Sequence, residues 1–123
     1  DGRGHQEEEQ SMTIIVTGGR DYVDTETIAR VIGRLAPERI AVGDCPTGLD
    51  RIVWVQYKEK CKRYYADWLQ YGKAAGPIRN REMCEKNQES ILVAFPGGRG
   101  TSSCKMEAAR LGIPVLEVVA KSW

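Results

Sequence analysis

The sequence has a single histidine, His5, and four cysteines, Cys45, Cys61, Cys84 and Cys104, which are far apart and form no Cys-x-x-Cys pair. Ligand spacings of the zinc type are therefore missing, and neither a metal nor a disulfide framework is expected. Free thiols point instead to a reducing compartment, the cytoplasm. No apolar run approaches the ~20 residues that a membrane span requires, so no membrane partner is expected. There is no excess of charge of either sign: the formal net charge is +1. A general nucleic-acid binder shows a basic excess or stripe, which makes nucleic acid an unlikely partner class. Two phosphate signatures are also missing. No Gly-x-Gly-x-x-Gly follows the first apolar strand and no Gly-x-x-x-x-Gly-Lys-Ser/Thr occurs, which argues against a standard dinucleotide fold and a P-loop.

What is present fits one globular domain. A chain of 123 residues buries roughly two-thirds of its unfolded surface without staples. Residues 1–11 contain Gly2, Gly4, the Glu7-Glu8-Glu9 run and no large apolar side chain. They are expected to be a disordered tail foreign to the natural chain, with Met12 as the natural start. His5 is excluded from any site on that ground. Residues 12–123 are expected to form the single domain.

Residues 13–17, Thr-Ile-Ile-Val-Thr, are a β-branched run ending at Gly18-Gly19, as in a strand buried on both faces. Asp24 or Thr25 can cap a helix carrying Ile28, Val31, Ile32 and Leu35, which ends before Pro37. Residues 39–42 read as a second strand running into Gly43, followed by a helix over about 49–61. A short third strand is expected over 62–66. A Gly-Pro loop then leads into a helix ending near Asn87, followed by a strand over 91–95, a helix over 102–111 and a strand over 115–119. This alternation predicts an α/β, Rossmann-like domain with a five-stranded, mostly parallel sheet and helices on both faces.

In such a sheet, ligands bind outside the carboxyl ends of the strands, near a topological switch point. Three loops leaving those ends carry glycine with polar residues. They are Gly18-Gly19-Arg20-Asp21, the segment from Gly43 to Arg51, and Pro96-Gly97-Gly98-Arg99-Gly100-Thr101. Glycine lets backbone approach a ligand, and a helix start offers unpaired N–H groups and a positive dipole end. Three such loops on one edge point to a ligand, a mononucleotide or nucleotide-derived molecule, with no separate cofactor.

The motifs Val16-Thr17-Gly18-Gly19-Arg20-Asp21-Tyr22, Gly43 to Asp50, Ala66-Asp67-Trp68 with Gly72, Ala75-Gly76-Pro77 and Arg79-Asn80, and Ala94-Phe95-Pro96-Gly97-Gly98-Arg99-Gly100-Thr101 occur in order. Together they resemble the YspA-like branch of the SLOG superfamily over about residues 14–118. Members resemble the Lonely Guy (LOG) phosphoribohydrolases and the SMF/DprA proteins. The resemblance implies a Rossmann-like fold, nucleotide-type ligands and a homodimer. For this branch it supplies no established reaction.

On this resemblance Gly97, Gly98, Gly100 and Thr101 match the LOG phosphate loop, and Arg99 either adds a charge-assisted bond or is a solvated loop residue. Arg79 and Arg81 fall in the arginine region that LOG enzymes place against the nucleotide, with Asn80 able to bond a ribose or base edge. Ion pairing with Glu82 or Glu85 is the alternative. Asp50 either accepts from ribose hydroxyls or caps its helix, and Arg20 and Asp21 either contact ligand or pair locally. Trp68 and Tyr71 are expected in the core rather than stacked on a base. LOG enzymes carry a glutamate three residues after the loop threonine, where this chain has Cys104. A thiol is no substitute for that carboxylate unless it ionises. Asp50, Glu107 and Asp21 are the remaining candidates. The expected function is a binding module, a sensor or sequestering protein; the alternative is an N-glycosidase of the phosphoribohydrolase type with a relocated carboxylate.

Overall fold

A computed structural model describes residues 11–120. The expected tail, apart from Ser11, lies outside the described residues. The sheet has five strands, β1 Thr13–Thr17, β2 Arg39–Val42, β3 Cys61–Arg63, β4 Ile91–Ala94 and β5 Val115–Glu117. Its order is β3-β2-β1-β4-β5 and every pairing is parallel. β1 is thus central, which is why Ile14, Ile15 and Val16 are all fully buried although consecutive side chains point to opposite faces.

The helices are α1 Thr25–Leu35, α2 Gly48–Gln56, α3 Trp68–Tyr71, α4 Ala75–Glu85 and α5 Arg99–Leu111. One core layer joins Ile14, Val16, Ile40, Val42, Val93 and Phe95 to Ile28 and Ile32 of α1 and Leu49 and Val53 of α2. The other joins Ile15, Ala41 and Leu92 to Met83 and Cys84 of α4 and Cys104 and Ala108 of α5. Helices therefore cover both faces, two on each. No helix among the described residues is long and apolar enough to cross a membrane.

Local chemistry sets the boundaries. Asp24 caps α1, its Oδ1 accepting from the Thr27 N–H at 3.0 Å, and Ala36 ends it in the left-handed region at φ 46°. α2 begins at Gly48, one residue earlier than expected. With φ +70°, Gly48 packs directly against the Gly19 and Arg20 backbone, which no other residue would tolerate. α2 also stops at Gln56 rather than 61, giving way to a 3-10 turn over Lys58–Lys60. The third strand moves forward to Cys61–Arg63, and the last two strands are shorter than expected.

Two helix starts depart further from expectation. Gly76 and Pro77 lie inside the first turn of α4 rather than in a loop before it. The proline is accommodated because the first-turn N–H groups have no intrahelical partner to lose. α5 begins at Arg99, not 102, which puts Gly100 and Thr101 in its first turn.

Candidate functional site

The loop after β1 runs to α1 on one face of the sheet and the loop after β4 to α5 on the other. Their divergence makes β1 and β4 the topological switch point of the sheet. The three glycine loops meet there. The Gly19 N–H donates to the Pro96 carbonyl at 2.9 Å, and the Gly19 carbonyl accepts from the N–H groups of Tyr22 at 3.1 Å and Leu49 at 3.2 Å. The Thr47 hydroxyl donates to the Arg20 carbonyl at 2.9 Å. Several glycines are needed for this packing. A Cβ at Gly18 would lie 2.7 Å from Leu49 Cγ, and one at Gly97 would meet the Thr101 hydroxyl and sit 2.7 Å from the Gly19 nitrogen. Gly98 and Gly100 differ: nothing lies within 4 Å of a Cβ built on either, and both are exposed.

The start of α5 is left open. Gly98 is its N-cap residue and no side chain caps the helix, so the first-turn N–H groups and the positive dipole end face outward. Beneath them Thr101 is 5% exposed, and its Oγ1 is buried with no hydrogen-bond partner among the described residues. A buried hydroxyl without a partner is costly. Arg99 is exposed beside it.

Next to the start of α5 a polar network joins three elements. Arg79 Nη1 donates to Asp44 Oδ1 at 2.7 Å and to the Tyr64 carbonyl at 3.4 Å, while Arg79 Nε donates to Asn80 Oδ1 at 2.9 Å. Asn80 is buried. Its Nδ2 donates to the Gly100 carbonyl and to Ser103 Oγ, both at 3.3 Å, so Asn80 ties Arg79 to the first turn of α5. The partner of Arg79 is therefore neither Glu82 nor Glu85 but Asp44. The pair spans 35 residues, and the only sequence signal for Asp44 was its place in the second glycine loop.

Asp50 is the third residue of α2 and does not cap it; Thr47 is the N-cap residue. Its Oδ2 accepts from the Cys45 N–H at 3.1 Å. Burial pushes the Asp50 carboxyl above its ordinary range, opposed by the Cys45 N–H and the positive charge of Arg79. Gly43 makes room for both side chains, since a Cβ there would lie 2.7 Å from Arg79 Nη1 and 2.7 Å from Asp50 Oδ2.

Other candidates lie apart from this cluster. Glu107 pairs with Arg110 at 3.0 Å and Arg81 at 3.8 Å. Arg20 and Asp21 are exposed and form no pair with each other among the described residues. Cys104 is fully buried, and its contact with Cys84 and its burial raise its pKa far above the ordinary thiol value. It stays a neutral thiol and cannot replace a carboxylate. The core expectation for the aromatics is corrected: Trp68 is 56% and Tyr71 44% exposed. They sit on α3, a helix of only four residues, and a Cβ built on Gly76 would lie 3.4 Å from the Trp68 ring. Sequence reasoning also passed over Arg63, at the end of β3, whose positive charge acts on Asp50.

Fold and site together define a parallel α/β domain of the Rossmann-like class with its polar groups gathered at the switch point. No family model matches the chain, and no solved structure does. The chain is 32% identical over 117 residues to the Gene 61 protein of Mycobacterium phage D29, a match that covers 84% of this chain and 93% of the phage protein. The chain belongs to the family of that phage protein.

Proposed function

We propose that the protein binds a nucleotide or nucleotide-derived small molecule at the carboxyl edge of its sheet, as a sensor or sequestering module of the YspA-like SLOG type. The buried, unpartnered Thr101 hydroxyl under the uncapped start of α5 carries this reading. A phosphate seated on Gly98, Arg99 and Gly100 would accept from the helix N–H groups and supply that hydroxyl with a partner. Asn80 and Arg79 are fixed beside the cradle, in reach of a ribose or base. The homodimer and the cytoplasmic location belong to the same proposal. Exposed Trp68, Leu69 and Tyr71 support pairing of two copies, which sedimentation equilibrium measures.

The test is a thermal-melt screen against nucleoside mono-, di- and triphosphates. A binding nucleotide at 100 times its Kd adds about 2.7 kcal/mol, a shift of several degrees. Gly98→Val should keep the fold, because its Cβ meets nothing within 4 Å and φ is −108°, and should abolish the shift. An undiminished shift in the folded variant would move the phosphate elsewhere.

One observation favours a second reading, an N-glycosidase acting on nucleoside monophosphates. Asp50 is a buried carboxyl with a raised pKa at the same edge, and cleavage through an oxocarbenium-like state needs a carboxylate near the anomeric carbon. Free base and ribose 5-phosphate in a chromatographic assay, lost in Asp50→Ala, would establish it. Binding without turnover would remove it.

A further inference from the structure

Arg63 closes β3 at the carboxyl edge without an ion-paired partner among the described residues. Among the described residues no ion pair or hydrogen bond reaches its side chain, and its Nε is buried and unpartnered. Two rings hold it instead: the Arg63 Cζ lies 5.0 Å from the Trp54 ring and 5.7 Å from the Tyr65 ring. Trp54 follows Asp50 by four residues on α2, so the two share a helix face. A guanidinium stacked on Trp54 thus lies about one helical turn from the Asp50 carboxylate, consistent with the pull of its charge on that group. By contrast Arg79, at the same edge, is neutralised by Asp44.

The edge therefore alternates in sign. The α5 start is positive, the Asp44, Asp50 and Arg79 cluster follows with two carboxylates to one guanidinium, and Arg63 is positive again. Strand order β3-β2-β1-β4 puts three spacings of about 4.8 Å, roughly 14 Å, between the strands that carry the two positive ends. A single phosphate cannot touch both. A planar guanidinium already held by ring stacking is suited to grip a phosphate through two N–H groups with little ordering cost.

We propose that Arg63 is a second anion contact of the site, and that the ligand is a nucleotide with two separate phosphate groups, a nucleoside bisphosphate being the simplest. The proposal rests on the nucleotide-binding reading above. One phosphate occupies the α5 start, the sugar hydroxyls face the carboxylates, and the second phosphate meets Arg63.

Calorimetric titration of the full chain with adenosine and guanosine 5′-monophosphates and their 3′,5′-bisphosphates tests it. In the unaltered protein a bisphosphate should bind about tenfold tighter than its monophosphate. Arg63→Gln should erase that advantage, weakening the bisphosphate about tenfold more than the monophosphate. Should Arg63→Gln fail to fold, Tyr65→Leu, which loosens the stack and keeps the charge, should weaken the bisphosphate alone. An equal affinity for mono- and bisphosphate, or an advantage that survives in these variants, overturns the role of Arg63 and leaves the single-phosphate reading standing. No binding of any of these nucleotides by the unaltered protein overturns this proposal, whereas the broader reading falls only if the thermal-melt screen is also negative.

Discussion

The Arg79 guanidinium donates to the Asp44 carboxylate across 2.7 Å, and the two side chains are only 12% and 19% exposed. The pair pins the loop after β2 to α4, and Asp44 Oδ2 also accepts from the Ala66 N–H at 3.3 Å. Removing the acid leaves a guanidinium largely out of water without its ion-paired partner. Asp44→Ala should cost about 3 kcal/mol, read from urea unfolding. Asp44→Asn should cost less, because its amide oxygen still accepts. Equal, negligible losses in both would show that the pair is not holding the loop.

Gly43 and Gly97 should respond differently to alanine. At Gly43 the new Cβ meets the ends of two side chains, Arg79 and Asp50, which can swing aside. Stability should fall by about 1 kcal/mol while nucleotide affinity falls at least tenfold. At Gly97 the Cβ meets the Gly19 backbone and Thr101, so the loss should reach about 3 kcal/mol. Urea midpoints alongside calorimetric titration separate the two.

Thr101→Val removes the unpartnered hydroxyl and keeps the shape. The free protein should be as stable as the parent or more so by about 1 kcal/mol, since a buried unsatisfied group is deleted. Nucleotide binding should weaken. A variant that loses stability in the free state would mean that the hydroxyl has a partner in the free protein.

Asp50 governs the pH dependence. Its pKa in the folded chain is above the ordinary 3.8, so the native state holds that proton more tightly than the unfolded chain. Its contribution to stability is largest below pH 3.8 and is lost as pH rises through the folded-state value. Asp50→Asn should therefore be more stable than the parent at pH 7, the difference shrinking as pH falls through that window. A difference that does not change with pH would show that Asp50 carries no burial penalty.

Much of the fold was legible along the chain. The apolar triplet Ile14-Ile15-Val16 has no period-two alternation, and a strand buried on both faces needs none. Asp24 marked the start of α1 because its side chain can bond an N–H three residues on. The start of α5 was not legible, because Gly98 offers no capping side chain. The exposure of Trp68 and Tyr71 was also hidden, since it depends on what α3 packs against and not on residue type.

The candidate site divides along the same line. The three glycine loops were readable because glycine is required wherever backbone meets backbone, as at Gly48 and Gly97. Which charges face one another was not, because Asp44 and Arg79 or Asn80 and Gly100 meet only after the crossovers bring separate loops to one edge. The amino-acid sequence by itself determined the elements, their alternation and the glycine-bearing edge, all products of local conformational preference and apolar pattern. Only the tertiary structure decided which side chains were neutralised and which polar atoms, like the Thr101 hydroxyl and the Arg63 Nε, were left buried without a hydrogen-bond partner among the described residues, because desolvation and pairing depend on neighbours distant in the chain.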